Sequence, residues 1–196
     1  MWYNSSTIAS YFIRKSEKIG KDISILKVIK LVYIAHGWKL ALDNTPLIND
    51  EIQAWKYGPV MPELFNLLNK EEDNKKTSSA KISDPNIIAQ SLIMEDKDIL
   101  LLNRVFIKYM DFSDEEISEL CHEKDTPWNK IYNNGKGRNE VISDKETSQY
   151  YKTQITKEEY NLLKQFLPIK TKQEAEKLLK DAGIMLKDGS MNPIYL

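Results

Sequence analysis

The sequence predicts a mainly α-helical globular domain with minor β structure and a small C-terminal appendage made of helices and a hairpin. Helix start signals recur along the chain, because a Ser or Thr followed three residues later by Glu can form a capping box. Four such pairs begin at Ser113, Ser143, Thr156 and Thr171. A length of 196 residues and a hydrophobic fraction of 41% suffice for one substantial core. Strand signals are sparse, so helices are expected to build that core.

The first half of the chain contains the segment with the strongest core signal. Residues 25–42 are apolar almost all round, with a few polar interruptions such as Lys30 and His36. A helix of this kind is normally the buried centre of a domain. A second helix should pack against it, because residues 99–110 place apolar side chains on one face at three- and four-residue spacing.

The remaining elements follow from residue spacing and turn chemistry. Proline at the first helical position loses no hydrogen bond, so Thr126 before Pro127 marks another helix start. Asp188 and Gly189 are typical of a tight hairpin turn and predict a small hairpin at the C-terminal end. Other helices are expected at about residues 6–18, 24–42, 60–70 and 95–110, an extended segment at 47–55, and loops at 70–84 and 133–137.

Composition and charge argue against several classes of protein. The 28 basic and 29 acidic residues give a net charge of -1, which argues against a dedicated nucleic-acid binder. The single cysteine, Cys121, cannot form an intrachain disulfide and favours a reducing compartment. The chain shows neither a signal-peptide pattern nor an apolar run of membrane-spanning length, so a cytoplasmic protein without a membrane partner is expected.

Residues that could carry chemistry are few. Two histidines and one cysteine are too few for a typical zinc site, and neighbours such as Cys121 and His122 point about 100° apart on a helix. No glycine-rich phosphate loop is recognisable. We therefore expect no metal, no cofactor and no catalytic residue. Two alternatives stay open. His36, which is more simply a core histidine with one satisfied hydrogen bond, could fold onto Cys121, and a charged His122 could meet the exposed carbonyls at a helix end.

The stretch AWKYGPVMPELF, residues 54–65, concentrates aromatic and proline residues around a glycine. Gly58 and Pro59 break regular structure, while Trp55 and Tyr57 carry large amphipathic surfaces. The stretch is therefore either a rigid elbow or a binding surface. We assign Trp55 mainly to the core and Tyr57 to the accessible side.

Three blocks of the chain carry a further pattern. They are LKVIKLVYIAHGWKLAL at residues 26–42, EIQAWKYGPVMPELF at 51–65 and EEISELCHEKDTPW at 115–128. In this order they resemble the Panacea antitoxin domain, also described as a GepA-like phage-associated domain, through its K-L-x-Y-x-A, A-W-x-Y-G-P-V and T-H-x-x-x-P-W patterns. The last pattern is altered here, since Cys121 stands at the usual threonine position and one extra residue separates His122 from Pro127. A position that accepts either Thr or Cys is not expected to hold a nucleophile.

The resemblance covers about residues 5–152 and implies a mainly helical domain, with residues 153–196 left as an appendage. It implies an antitoxin that neutralises a toxin encoded beside it, generally by direct protein contact, while one relative looks like an adaptor that delivers its toxin to a protease. The candidate partner-binding residues are Tyr57, Gly58, Pro59, Pro62, His122 and Pro127. The residues expected to maintain the structure of the motif are Lys30, Leu31, Tyr33, Trp55 and Trp128.

Three functional hypotheses follow, in decreasing order of support. The first is a toxin-neutralising interaction protein, the second a phage or prophage regulator that acts as a protease adaptor, and the third a hydrolase using His122 with Asp125 or Cys121. The elbow and the HEKDTPW block each hold a proline and an aromatic residue next to a helix start, so they are expected to lie side by side.

The appendage carries an expectation of its own. Its two helices present apolar stripes too narrow to build an independent core, so they must dock on the main domain or on a partner. We hypothesise that the appendage contributes partner specificity, the alternative being that it only caps the fold.

Overall fold

The computed structural model describes residues 2–72 and 79–156 of the chain. Within these ranges the mainly α fold is confirmed, with a small two-stranded sheet. The four helices expected at about 6–18, 24–42, 60–70 and 95–110 are all present. The elements in chain order are α1 (Ser5–Lys18), α2 (Ile25–Asp43), β1 (Gln53–Trp55), β2 (Gly58–Val60), α3 (Pro62–Glu72), α4 (Pro85–Leu92), α5 (Asp96–Tyr109), α6 (Asp114–His122), α7 (Pro127–Tyr132), a 3₁₀ turn (Asn133–Gly135) and α8 (Asp144–Gln154).

Helix α2 is the centre of the domain. Ser24 caps its N-terminus by accepting a hydrogen bond from the Lys27 amide (3.0 Å), and Asn44 ends it in the left-handed conformation, at a φ of 54°. Every residue from Val28 to Leu42 is buried. Helices α1, α5, α6 and α8 all pack against α2, so the prediction of a buried central helix is confirmed.

The buried lysine near the C-terminal end of α2 has charged partners. Lys39 Nζ lies 2.9 Å from Asp43 Oδ2 and also pairs with Asp98 of α5, whose side chain is fully buried. Asp98 accepts a further hydrogen bond from the Tyr3 hydroxyl (3.0 Å). Because each charge is both paired and hydrogen-bonded, this network joins the start of the chain to α2 and α5 without leaving a buried charge alone.

His36, also buried on α2, makes two hydrogen bonds rather than the single one expected. Its Nδ1 accepts from the Ile48 amide (3.4 Å), so its Nε2 carries the proton and donates to Asp144 Oδ1 (3.0 Å) at the start of α8. Both ring nitrogens are therefore engaged, and neither is left to pair with Cys121.

Helix α4 is not among the elements expected from the sequence. It begins with the signal that located α7, a capping side chain followed by proline: Asp84 Oδ1 accepts from the Asn86 amide (2.8 Å), with Pro85 at the first position. α4 packs on α1 through polar contacts, including Arg14 Nη1 to Ser91 Oγ at 3.2 Å. Its short apolar run lacks the long periodicity that identified the other helices.

Two of the four predicted capping boxes can be compared with the structure. At α6 the box is complete, since Ser113 Oγ accepts from the Glu116 amide and the Glu116 carboxylate accepts from the Ser113 amide. At α8, Ser143 Oγ accepts from the Glu146 amide (3.2 Å). The boxes beginning at Thr156 and Thr171 extend beyond the described residues, as do the predicted terminal hairpin and nearly all of the 153–196 appendage.

The two strands form an antiparallel hairpin at the position of the predicted elbow. β1 and β2 pair with Trp55 opposite Gly58, so Lys56 and Tyr57 form the two-residue turn. The other edge of β1 is held by the chain after α7, where the Ala54 amide donates to the Glu140 carbonyl (2.8 Å). The predicted extended segment therefore becomes one arm of a hairpin supported on both sides.

The polar connections have little regular structure. The predicted loop at 133–137 contains a 3₁₀ turn, with positive φ angles at Asn133 and Asn134. Of the predicted loop at 70–84, α3 takes the residues up to Glu72, and the described part resumes at Ser79, which pairs with Ser24. None of the helices in the described ranges combines the length and apolar character needed to cross a membrane.

Candidate partner-binding site

The hairpin and the start of α7 lie side by side. Trp128 Nε1–H donates a hydrogen bond to the backbone carbonyl of Trp55 (2.7 Å), at the end of β1. α7 packs against β1 and α6 packs against β2. The two proline-aromatic blocks of the sequence therefore form one continuous structure.

Tyr57 projects from the tip of this structure. Its residue surface is 62% exposed, and Lys56 Nζ lies 5.1 Å from its ring centroid. Trp55, at the base of the turn, is only partly exposed: its ring packs edge-on against Phe65 of α3 at a centroid distance of 5.1 Å, and its Nε1–H donates to Gln53 Oε1 (2.9 Å). The turn thus presents one aromatic ring to solvent and uses the other as a support.

Gly58 fits tightly against buried side chains beneath the turn. It has a φ of 106°, which L side chains rarely adopt, and a Cβ at this position would overlap Lys30 Nζ and lie 3.4 Å from His122 Nε2. Lys30 Nζ in turn donates to the Pro59 carbonyl (3.1 Å). Gly58 therefore suits the backbone conformation, and a larger residue there would also displace the Lys30 ammonium.

Burial sets the protonation of the groups beneath the hairpin. It lowers the pKa of Lys30 to about 8 and raises the pKa of Cys121 to about 11. The pKa of His122 is lowered, first by burial and second by the positive charge of Lys30. At neutral pH, Lys30 is therefore cationic, His122 is uncharged and Cys121 is a thiol.

His122 packs against an aromatic ring, which differs from the alternative, left open by the sequence, of a charged ring at a helix end. The His122 ring lies against Trp128 at a centroid distance of 4.1 Å with the ring planes tilted by 32°, and Trp128 stacks on Tyr132 at 4.6 Å. His122 Nε2 is buried and has no hydrogen-bond partner among the described residues. The ring is thus part of an aromatic cluster, and the hydrogen bonds of the described residues connect it to neither Asp125 nor Cys121.

The candidate partner-binding residues do not share one surface. Tyr57 is exposed, whereas Pro62 and His122 are partly exposed, and the other three members of the set, Gly58, Pro59 and Pro127, are buried. Tyr57, Pro62 and Pro127 line three different surface depressions. The residues expected to be structural lie deeper: Lys30, Leu31, Tyr33 and Trp128 are buried and Trp55 is partly buried.

A groove of about 660 Å³ opens beside Tyr57, between the hairpin, the first turns of α2, and α3. Its lining is partly polar and includes Lys30, Lys56, Asp114 and Arg138. The apolar residues of the lining are Ile25, Leu26, Ile29, Trp55, Tyr57, Val60 and Phe65. The groove was not predicted from the sequence. The apolar residues at the start of α2 were the one signal for it, because residues such as Leu26 stay partly exposed although the rest of the helix is buried.

The blocks that build the hairpin and its support fall inside a recognised family. Residues 28–129, more than half of the chain, match the family model described as "Antitoxin SocA-like, Panacea domain". The chain belongs to this family. The matched span contains the hairpin, α3, α6 and the first residues of α7, while Leu26 and Arg138 of the groove lie outside it.

A curated relative supports the same family. The protein named "Antitoxin SocA" from Caulobacter vibrioides (strain NA1000 / CB15N) is 29% identical over 141 residues, which cover 69% of this chain and 73% of that protein. No solved structure matches the chain. The family and this relative are thus the comparisons that bear on function.

Proposed function

We propose that this protein is an antitoxin that neutralises a protein toxin by binding it directly. The observation that carries the proposal is the exposed aromatic ring of Tyr57 on an anchored turn, next to an apolar groove. Membership of the Panacea family and the similarity to a protein named as an antitoxin supply the biological context.

The hairpin has the physical properties of a binding element. Large aromatic side chains are over-represented among the residues that dominate interface energies. The turn at Tyr57 is anchored from below by the Trp128 to Trp55 hydrogen bond and by the packing of Gly58 on Lys30. Because its backbone is already ordered, little conformational entropy remains to be lost when a partner binds.

The chemistry of the buried groups supports a protein without catalytic activity. A nucleophilic cysteine normally has a lowered pKa and partial exposure, whereas Cys121 is buried and its pKa is raised to about 11. Within residues 2–72 and 79–156 no group of three or more His, Cys, Asp or Glu side chains is arranged to hold a metal ion. We therefore favour binding over hydrolysis and include no cofactor in the proposal.

Co-expression tests the proposal. The reading frame next to this gene is expressed alone and together with this chain, while growth and the amount of its product are followed. We expect toxicity on its own, rescue by this chain, and a complex that survives size-exclusion chromatography. Rescue without a complex, or a complex without rescue, would contradict neutralisation by direct binding.

The level of the toxin separates direct binding from delivery to a protease. Under direct binding, the toxin accumulates in the rescued cells as part of the complex. If rescue instead coincides with loss of the toxin, and deletion of a cellular protease restores both toxin and toxicity, the adaptor hypothesis replaces the one proposed here.

A further inference from the structure

The groove beside Tyr57 has a floor suited to apolar side chains. Aliphatic residues of the first turns of α2, including Leu26 and Ile29, face the edge-to-face pair formed by Trp55 and Phe65. Burial of apolar surface in such a groove contributes roughly 25 cal/mol for each Å² removed from water. An aliphatic floor favours a protein side chain over a polar small molecule.

The lining of the groove carries more positive than negative charge. Three of its lining residues are cationic, namely Lys30, Lys56 and Arg138, and one is acidic, Asp114. The side chains of Lys56 and Arg138 form no ion pair within the described part of the chain, although Lys56 lies over the Tyr57 ring. The chain as a whole carries a net charge of -1, so this excess is local.

The single acidic residue of the lining is already engaged. Asp114 Oδ1 accepts a hydrogen bond from Ser24 Oγ (2.7 Å), and its charge acts on the Lys27 ammonium. Asp114 therefore does not neutralise Lys56 or Arg138 through a direct contact. A third cation, Lys30, lies buried beneath the groove with one protein acceptor, the Pro59 carbonyl.

We propose that the groove binds a segment of the toxin in which apolar side chains stand next to acidic residues. The apolar side chains occupy the floor built by α2, Trp55 and Phe65, and the carboxylates pair with Lys56 and Arg138 at the rim. This inference rests on the proposed function and adds to it the chemical nature of the segment that is recognised.

Charge reversal at the rim provides the first test. The double variant Lys56→Glu/Arg138→Glu is compared with Lys124→Glu/Lys145→Glu, which makes the same change in net charge at exposed positions outside the groove. Toxin affinity is measured at low and at high ionic strength. We expect the rim variant to lose about tenfold or more in toxin affinity. Its affinity should also depend little on salt, because the attraction between exposed charges, which salt screens, has been removed.

The control variant should stay within about twofold of the unmodified protein. Equal affinities for the rim variant and the unmodified protein would overturn the inference while leaving the proposed function intact. Failure of the unmodified protein to bind the toxin would overturn both the inference and the proposed function.

Photo-crosslinking identifies the segment itself. A benzoylphenylalanine at Asn69, which lines the groove, is compared with one at Lys145, and the crosslinked toxin peptide is sequenced by mass spectrometry. We expect the Asn69 probe to capture a peptide with Asp or Glu beside apolar residues. Capture of a neutral or basic peptide, or of this chain alone, would contradict the inference.

A small anionic ligand is the competing occupant. Titration with ATP is followed through tryptophan fluorescence, since Trp55 lines the groove. Saturable binding that is lost in the rim variant and that displaces the toxin would assign the groove to such a ligand and overturn the inference. No fluorescence change is the expected result.

Discussion

The indole Nε1–H of Trp128 donates a hydrogen bond to the backbone carbonyl of Trp55 across 2.7 Å, joining segments 73 positions apart in the chain. Because the acceptor is a backbone atom, a substitution at Trp55 leaves it in place, whereas a substitution at Trp128 removes the donor. Trp128 is therefore the side chain that fastens the hairpin to α7.

Trp128→Ala should destabilise the whole domain. The substitution deletes the hydrogen bond to Trp55 and a buried ring that lies between His122 and Tyr132, so we expect a loss of about 3 to 5 kcal/mol in the free energy of unfolding. Trp128→Phe keeps an aromatic ring but no donor and should lose about 1 kcal/mol through the hydrogen bond. Chemical denaturation measures both, and near-equal losses would mean that the hydrogen bond, rather than burial, dominates.

Tyr57→Ala should weaken toxin binding without unfolding the protein. A residue that dominates an interface contributes about 2 kcal/mol, which corresponds to roughly thirtyfold in affinity. Trp2→Ala is the matched control, since Trp2 is a comparably exposed aromatic residue, at 61%. Unchanged affinity of a folded Tyr57→Ala variant would restrict the turn to a structural role.

Gly58→Ala should be more destabilising than Gly20→Ala. Both glycines have a positive φ, 106° at Gly58 and 69° at Gly20, so both substitutions introduce backbone strain of about 1 to 3 kcal/mol. Only Gly58 also faces Lys30, since no atom lies within 4 Å of a Cβ at Gly20. The difference between the two melting temperatures combines the clash with Lys30 and the less common φ of Gly58, and equal values would contradict the expectation.

The stability of the protein should depend on pH through Lys30. The folded pKa of about 8 lies below the ordinary value of 10.5, so between these values the unfolded chain binds more protons and the free energy of unfolding rises with pH. Relative to Lys30→Met, the unmodified protein should gain up to about 3 kcal/mol between pH 7 and pH 10.5. A constant difference across this range would contradict the lowered pKa. Cys121 opposes this trend, since its raised pKa disfavours the folded state at high pH, and loss of the Lys30 charge in Lys30→Met raises the pKa of Cys121 further.

Removal of residues 157–196 should leave a folded protein that no longer neutralises its toxin. The cut preserves α8, whose Tyr151 is buried, together with Ile155, which packs against the core. Growth assays and circular dichroism are the measurements. Full neutralisation by the shortened chain would show that the appendage does not contribute to partner selection. An insoluble product would instead indicate that the appendage caps the fold.

The sequence predicted the elements that depend on local signals. The apolar run of α2 identified the buried centre, and the Ser113–Glu116 pair located the start of α6. The second strand was missed because its turn, Lys56–Tyr57, lacks the Asn-Gly or Asp-Gly signature of a tight hairpin. Here Gly58, directly after the turn, takes the positive φ.

The groove could not be predicted, because its parts meet only after folding. Leu26, Phe65 and Arg138 lie on α2, on α3 and in the chain after α7. Nothing in the local pattern of any of these segments indicates the other two. The unexpected partner of His36 has the same origin, since Asp144 follows it by 108 positions.

The turn residue Lys56 gives this fold a place where sequence can diversify at little expense of stability. Its side chain extends into solvent, while the residues that hold the turn, Trp55 and Gly58, are fixed from below. Lys56 is also the free position of the A-W-x-Y-G-P-V pattern, in which Tyr57 is a named residue. Substitutions at Lys56 therefore alter the surface beside a constant aromatic ring, and a library randomised there would sample binding specificities on an unchanged framework.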